Sequence, residues 1–143
     1  MSHADVLREW YSEVWENGNT DVIDRYFAPE TTAEGLIPEM QVGVEEFRDL
    51  VMAFRHILGD IKVDLPKIIV DGDWISAILH LSTTRADNGA PLQATGSVIG
   101  RIKDGRVVEA YNQFDFISLF EQLGQFPQDT LPVCMTGQRL DWA

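Results

Sequence analysis

The chain has 143 residues, 45% of them apolar, enough for one domain to bury a core without disulfides or metal and too few for a second. Its formal charge of −12, with no Lys/Arg cluster, argues against nucleic acid and anionic membrane as partners and favours a small uncharged or weakly charged ligand. The single cysteine, Cys134, forms no internal disulfide, the opening MSHADVLREW lacks a basic region followed by an apolar one, and no apolar run approaches the roughly 20 residues of a membrane span, so a cytoplasmic protein is expected.

Ser2 or Asp5 is placed to cap a first helix over about residues 4 to 17, where Val6, Trp10 and Val14, joined by Leu7, Tyr11 and Trp15, recur at three- and four-residue spacing. Asn17-Gly18-Asn19 ends it. Thr20 then caps a short second helix with Val22, Ile23, Tyr26 and Phe27 on one face, and Pro29 stops it by restricting Ala28. Residues 30 to 36 read as a short strand leading into a loop at Pro38. A third helix, about 44 to 58, carries Phe47, Leu50, Val51 and Phe54 at i, i+3, i+4 and i+7, and Gly59-Asp60 closes it.

The pattern then changes to period two. Residues 61 to 70 form a strand in which Pro66 marks an edge or a bulge, and Asp71-Gly72-Asp73 turns it into another over 74 to 85. That strand sets Ile75, Ala77, Leu79 and Leu81 on one face and Trp74, Ser76, Ile78, His80 and Ser82 on the other. Both faces are largely apolar, so both are expected to be covered: one by helices around a cavity, the other by a partner subunit in a homodimer. After Asp87-Asn88-Gly89, residues 92 to 118 read as two long strands joined at Lys103-Asp104-Gly105, since an Asp-Gly pair supplies the positive φ of a tight hairpin. Each arm holds about ten residues and at roughly 3.3 Å per residue exceeds 30 Å. Such length suits a strongly bent sheet, with Gly96 and Gly100 as points where the strand bulges or bends. Ile117 to Gly124 reads as a terminal helical segment. Gln125 to Ala143 is a tail of no clear period that packs on the domain, packs on a neighbouring subunit or lies loose.

Helix, helix, strand, helix and then four long antiparallel strands is an order that resembles the cone-shaped NTF2-like fold. The segments YSEVWENGNTDVIDRYFAPE, GVEEFRDLV and GRIKDGRVVEAYNQFD with the following FEQLG resemble its SnoaL-like polyketide cyclase branch. The resemblance covers roughly residues 5 to 124, giving one domain over 1–124 and leaving the tail 125–143 outside. It implies an α+β cone, a strongly curved mixed or antiparallel sheet wrapped around three helices from the N-terminal half, with an internal cavity. It also implies cofactor-free cyclase- or isomerase-type acid/base chemistry on a small hydrophobic carbonyl compound.

Tyr11 matches in register the tyrosine that donates to the oxyanion in ketosteroid isomerases of this fold, because a buried phenol within about 3 Å of the developing charge stabilises an enolate. The competing role is a core aromatic whose hydroxyl bonds to backbone. Glu34 stands beside Gly35, the position closest to the isomerases' general-base aspartate, and serves as a base only if it points inward. A solvated carboxylate at a strand end is its alternative. The strand GRVVEAYNQFD divides Ala110, Asn112 and Phe114 from Tyr111, Gln113 and Asp115, and the resemblance turns the first set toward the cavity. Related SnoaL-like chains carry acids at the places of Asn112 and Asp115, and the cyclases' cavity aspartate falls at Asn112. An amide orients a carbonyl or a water but transfers no proton at neutral pH. Where the isomerases hold a protonated aspartic acid as second oxyanion donor, this chain has Thr95, Ser97 and Val98. The expected site is therefore Glu34 as base, Tyr11 as oxyanion donor and Asn112 as orienting group, with Trp15, Phe54, His80, Thr95 and Phe114 against the ligand.

His3 is expected to be disordered and His56 exposed. The three histidines share no ligand spacing and no HExxH, CxxC or calcium-loop pattern occurs, so neither metal nor cofactor is expected. The serines lack a nucleophile elbow, and the glycines form neither a dinucleotide fingerprint nor a P-loop. Two alternatives to an enzyme stand beside it: a non-catalytic small-molecule binder using the same cavity, and a dimeric interaction module built on the convex sheet face with Tyr111 and Gln113.

Overall fold

The computed structural model describes residues 1–36 and 41–142; the loop expected at Pro38 lies outside them. Ser2 caps helix α1 (His3–Trp10) through a capping box, its hydroxyl accepting from the Asp5 N–H while the Asp5 carboxylate accepts from the Ser2 N–H. His3, expected to be disordered, is the first residue of that helix. The helix does not run to residue 17 in one form: from Tyr11 to Glu16 it widens into a π-helix, closed by the Asn17 N–H on the Ser12 carbonyl at 2.9 Å. Local spacing could not announce this widening, since a distant side chain ties its end down. The Arg55 guanidinium donates to the carbonyls of Trp15 (2.7 Å) and Glu16 (3.1 Å).

A 3₁₀ turn (Thr20–Val22) leads into α2 (Ile23–Tyr26). Asn19, not Thr20, precedes the turn and makes no side-chain cap bond there. Helix α3 (Val44–Ile57) follows Gly43 and buries Phe47 and Val51.

Five strands form one mixed sheet in the order β1-β5-β4-β3-β2: β1 (Ala33–Glu34), β2 (Lys62–Asp71), β3 (Trp74–Thr84), β4 (Pro91–Lys103) and β5 (Arg106–Phe114). Strand β1 is parallel to β5 and the other pairs are antiparallel. The strand expected over 30 to 36 thus shrinks to two residues. Pro66 lies on edge strand β2 and within the register shift between Asp64 and Lys67, where its missing N–H costs the ladder least. The β4–β5 register shifts between Arg101 and Ile102, where Val108 of β5 is the extra residue, and not at Gly96 or Gly100. Gly96 has another use, because a Cβ there would press within 2.7 Å of the Phe114 ring and the Gln113 carbonyl. Strand β5 stops at Phe114, short of the expected 118. Asp115 turns the chain into α4 (Phe116–Gln122), its Oδ1 accepting from the Ser118 N–H at 3.0 Å.

The core has two apolar clusters. One lies under the N-terminal helices, where Trp10 stacks on Phe27 (centroids 4.6 Å apart) and meets the edge of Phe47 (5.1 Å), against Ile75, Val98 and Ile102. The other joins Leu58, Ile61, Leu81 and Leu92 to Leu119 and Leu123 of α4. Trp15, Val63 and Phe114 border both clusters. The tail forms α5 (Thr130–Met135) and is joined to α4 through Phe126 on Phe120 and the Asp129 N–H on Glu121 Oε1 (2.8 Å), with Trp142 against Phe126. No helix among the described residues is long and apolar enough to cross a membrane.

Candidate active site

At the seam between the two clusters, the π-helix, α3, α4 and the inner face of β3 to β5 enclose a cavity of about 90 Å³ that is partly open to solvent. Tyr11 and Trp15, one at each end of a widened turn, both reach its wall. Ring contacts make that wall continuous: Trp15 lies 6.2 Å from Phe54, Phe54 5.8 Å from Phe116 and Phe116 5.0 Å from Phe114. Leu58, Ile61, Leu79 and Leu81 supply aliphatic surface. The cavity is an apolar container with few polar groups, the usual character of a small-molecule site.

Two of those polar groups matter. Tyr11 is only 9% exposed, and its hydroxyl has no hydrogen-bond partner among the described residues. Burial alone pushes its phenol far above the ordinary value, so it keeps its proton at any physiological pH and stands ready to donate. Asn112 is held in one orientation, with Nδ2 donating to the Glu34 carbonyl at 3.2 Å. An amide oxygen cannot face a carbonyl oxygen, so this bond fixes the flip and leaves Oδ1 as the free acceptor. Gly35 makes the close approach possible. It has φ +87°, and a Cβ on it would overlap the Asn112 carbonyl oxygen. The position nearest the isomerases' base aspartate therefore has no room for a side chain.

Tyr11, Trp15, Phe54, Asn112 and Phe114 line the cavity. Glu34, His80 and Thr95 do not, and the reason is strand parity. Ala33 pairs with Ala110 and is fully buried, so Glu34, paired with Tyr111, turns to the outer face, where its Oε1 accepts from Gln41 Nε2 at 3.4 Å. The expectation that Glu34 points inward as base is corrected accordingly. His80 pairs with Thr95 across β3 and β4, and both are exposed on the outer face between inward-facing Leu79 and Leu81 on β3 and Ala94 on β4. Neither reaches a ligand in the cavity. His56 is exposed. Among the described residues, no group of three or more His, Cys, Asp or Glu is arranged to hold a metal ion.

Phe116 and Leu119 of α4 also line the cavity and went unassigned in the sequence. The signal was there: Phe116, Leu119 and Leu123 fall at i, i+3 and i+7 once the helix is started at Phe116. No Asp, Glu, His, Lys or Arg appears among the described lining residues. The polar lining residues are Tyr11, Ser97, Asn112 and Gln113, all uncharged; Ser97 and Gln113 alternate with inward-facing Val98 and Asn112 and so also belong to the outer face, which leaves a phenol donor and an amide acceptor against an aromatic and aliphatic wall.

Solved structures share this fold. TsrD from Streptomyces laurentii superimposes with a TM-score of 0.72 at 21% identity, over 87% of this chain and 98% of that one. IdmH from Streptomyces antibioticus gives 0.75 at 20%, over 85% and 97%. A SnoaL-like polyketide cyclase from Agrobacterium tumefaciens gives 0.69 at 15%, over 87% and 99%. These likenesses establish the NTF2-like fold. No curated protein sequence matches the chain significantly. The family model described as SnoaL-like polyketide cyclase matches residues 5–123, and on that match the chain belongs to the SnoaL-like polyketide cyclase family.

Proposed function

We propose that the protein is a cofactor-free cyclase- or isomerase-type enzyme acting on a small hydrophobic carbonyl compound, with Tyr11 donating to the oxygen as negative charge develops on it. The observation that carries this is the hydroxyl of Tyr11, a buried residue at the wall of an apolar cavity, protonated and unpartnered among the described residues. A preorganised donor in an apolar site stabilises an enolate far more than water does, because it needs no reorganisation as charge appears. With Glu34 outside, the proton beside the carbonyl passes to water or to a basic group of the substrate. A cavity of about 90 Å³ is smaller than the roughly 150 Å³ that takes benzene, so a ring-sized substrate extends through the mouth.

The lack of a carboxylate or imidazole among the described lining residues favours a second reading, a non-catalytic binder with the same ligand class. Deuterium exchange beside the carbonyl of small aryl ketones separates the two. The enzyme reading expects faster exchange than in buffer and a loss on the order of 10²-fold or more in Tyr11→Phe. Binding with exchange at the buffer rate establishes the binder instead.

We also propose that a second copy of the chain covers the outer sheet face. Ile78, Ile99 and Tyr111 are 42–47% exposed there, beside Trp74 and Ile69. Within β3 to β5 the rows Ser76–Ile99–Tyr111 and Ile78–Ser97–Gln113 carry no charge, with Glu34 and Lys67 at their ends on β1 and β2, and the neighbouring Arg101–Glu109 pair (2.7 Å) neutralises itself. On a chain of charge −12, such a face is where two copies approach with least repulsion. Four strands of about ten residues, at roughly 4.8 Å by 3.3 Å per residue, offer on the order of 600 Å². That is near the roughly 800 Å² per partner of a standard interface.

A further inference from the structure

Resting on the reading of the cavity as a carbonyl site, we infer that Asn112 determines specificity by accepting a hydrogen bond from the ligand, so that the preferred ligand is an uncharged hydroxycarbonyl compound and not a simple ketone. The cavity wall carries two polar groups of opposite hydrogen-bonding sense. The Tyr11 hydroxyl is a donor that burial keeps protonated. Asn112 Oδ1 is a free acceptor, because one N–H of Nδ2 donates to the Glu34 carbonyl and fixes the amide's orientation. That orientation is built into the backbone: only a residue without Cβ fits at Gly35, where the chain passes against Asn112.

The physical consequence is selective. A ligand bearing only a carbonyl satisfies Tyr11 and strips water from Oδ1 without replacing it, and an unsatisfied buried acceptor is costly. A ligand that adds a hydroxyl within reach of Oδ1 satisfies both groups. Sites built to bond a hydroxyl reject analogues lacking it for this reason. A carboxylate in place of the hydroxyl meets an acceptor oxygen, on a chain of charge −12 and with no cation among the described lining residues. Because neither group titrates near neutrality, the preference for the hydroxyl is expected to be constant between about pH 5 and 7, below the range in which a phenolic probe itself ionises.

Matched probes test this on the wild-type chain: acetophenone, 3- and 4-hydroxyacetophenone, and the corresponding methoxyacetophenones, with binding followed by calorimetry and by the fluorescence of Trp10 and Trp15. At least one hydroxyacetophenone should bind roughly tenfold or more tightly than acetophenone and its methoxy analogue, a difference matching one unsatisfied buried group. In Asn112→Leu the hydroxyl preference should vanish. In Tyr11→Phe all carbonyl probes should weaken while the preference survives. Equal affinity of the hydroxy, methoxy and unsubstituted ketones for the wild-type chain overturns the assignment of Asn112 and leaves the carbonyl site standing. Failure of every ketone to bind overturns the carbonyl site itself. The methoxy comparison needs no variant, so a folding defect in Asn112→Leu does not blunt the test.

Discussion

The two faces of strands β3 to β5 are made from the same chain and differ in what they ask of it. Inward, Ile75, Ala77, Leu79, Val98 and Ala110 are at most 7% exposed, and Asn112 is the one polar side chain that β5 turns in with Ala110 and Phe114. Outward, Ile78, Ile99 and Tyr111 remain more than 40% exposed among Ser76, His80, Thr95 and Gln113. The inner face is closed by helices and tolerates polarity only where a backbone partner fixes it. The outer face mixes apolar and hydroxylic residues without a charged centre, the composition of a surface that is sometimes wet. Alternation alone separates the two, so neighbouring residues of β3 make a direct comparison.

The largest effect should come from truncating the inner face. Ile75→Ala removes a side chain that is 2% exposed and packed in the main cluster, and should cost about 2–5 kcal/mol in urea unfolding. Ile78→Ala, three residues on and 43% exposed, should cost less than about 1 kcal/mol in dilute protein. Equal costs at high dilution would mean that the outer face is buried within the monomer, and the contrast between the faces would fall.

Concentration sharpens the same contrast. If a second copy covers the outer face, wild-type protein sediments as a dimer at micromolar concentration, and Ile99→Lys, which sets a charge in the middle row, shifts it toward monomer by roughly tenfold or more in dissociation constant. A monomer mass for the wild type would remove the homodimer and leave the outer apolar residues as ordinary surface.

On the inner face, Asn112→Asp is the informative change. The ionised carboxylate would set an oxygen against the Glu34 carbonyl, where Nδ2 now donates at 3.2 Å, inside an apolar wall. Repulsion and desolvation both disfavour the charge, so its folded pKa should rise above the roughly 3.9 of a free aspartate. A raised pKa means that the variant's stability relative to wild type is best below the unfolded value and declines as pH rises through the folded one. Carbon-detected NMR of the carboxyl checks this, and an unshifted value would show that the amide is not locked against Glu34. Deuterium exchange beside ketone carbonyls should increase in this variant, since the wall then holds a proton-transferring group.

How far the sequence exposed this can be followed residue by residue. The strands, their turns and the helices α1, α3 and α4 were legible because each writes its own period, and Pro66 and Asp104-Gly105 marked an edge bulge and a turn by local chemistry. That Tyr11 and Asn112 line the cavity was legible only through family resemblance, joined for Asn112 by strand parity. Glu34 was misplaced because a two-residue parallel strand gives no alternation from which to read its face, and only pairing with β5 decides it. His80 and Thr95 fell on a face that parity had already separated from Leu79, while apolar character on both faces hid which was inside. The π-helix depends on Arg55, about forty residues away in sequence, and no local signal carries it.

The smallest effect concerns the alkaline limb of stability. Burial raises the Tyr11 phenol, and Tyr26 is raised by burial and by Glu9, whose carboxylate accepts its hydroxyl at 3.3 Å. Tyr111, on the outer face, is raised mainly by its hydrogen bond to Glu109. A phenol whose folded pKa lies above its unfolded value of about 10 contributes stability that is complete below pH 10 and is lost as pH rises through the folded value. Wild-type unfolding midpoints should therefore fall progressively as pH rises above about 10. Tyr11→Phe should be close to neutral at pH 7, since it deletes a hydroxyl with no protein partner among the described residues, and should flatten only its own part of the alkaline fall. Tyr111→Phe removes an exposed phenol and should change the slope less. If Tyr11→Phe instead lowers stability at pH 7 by more than about 1 kcal/mol, the hydroxyl is bonded in the free protein and is not the open donor on which the inner face's chemistry depends.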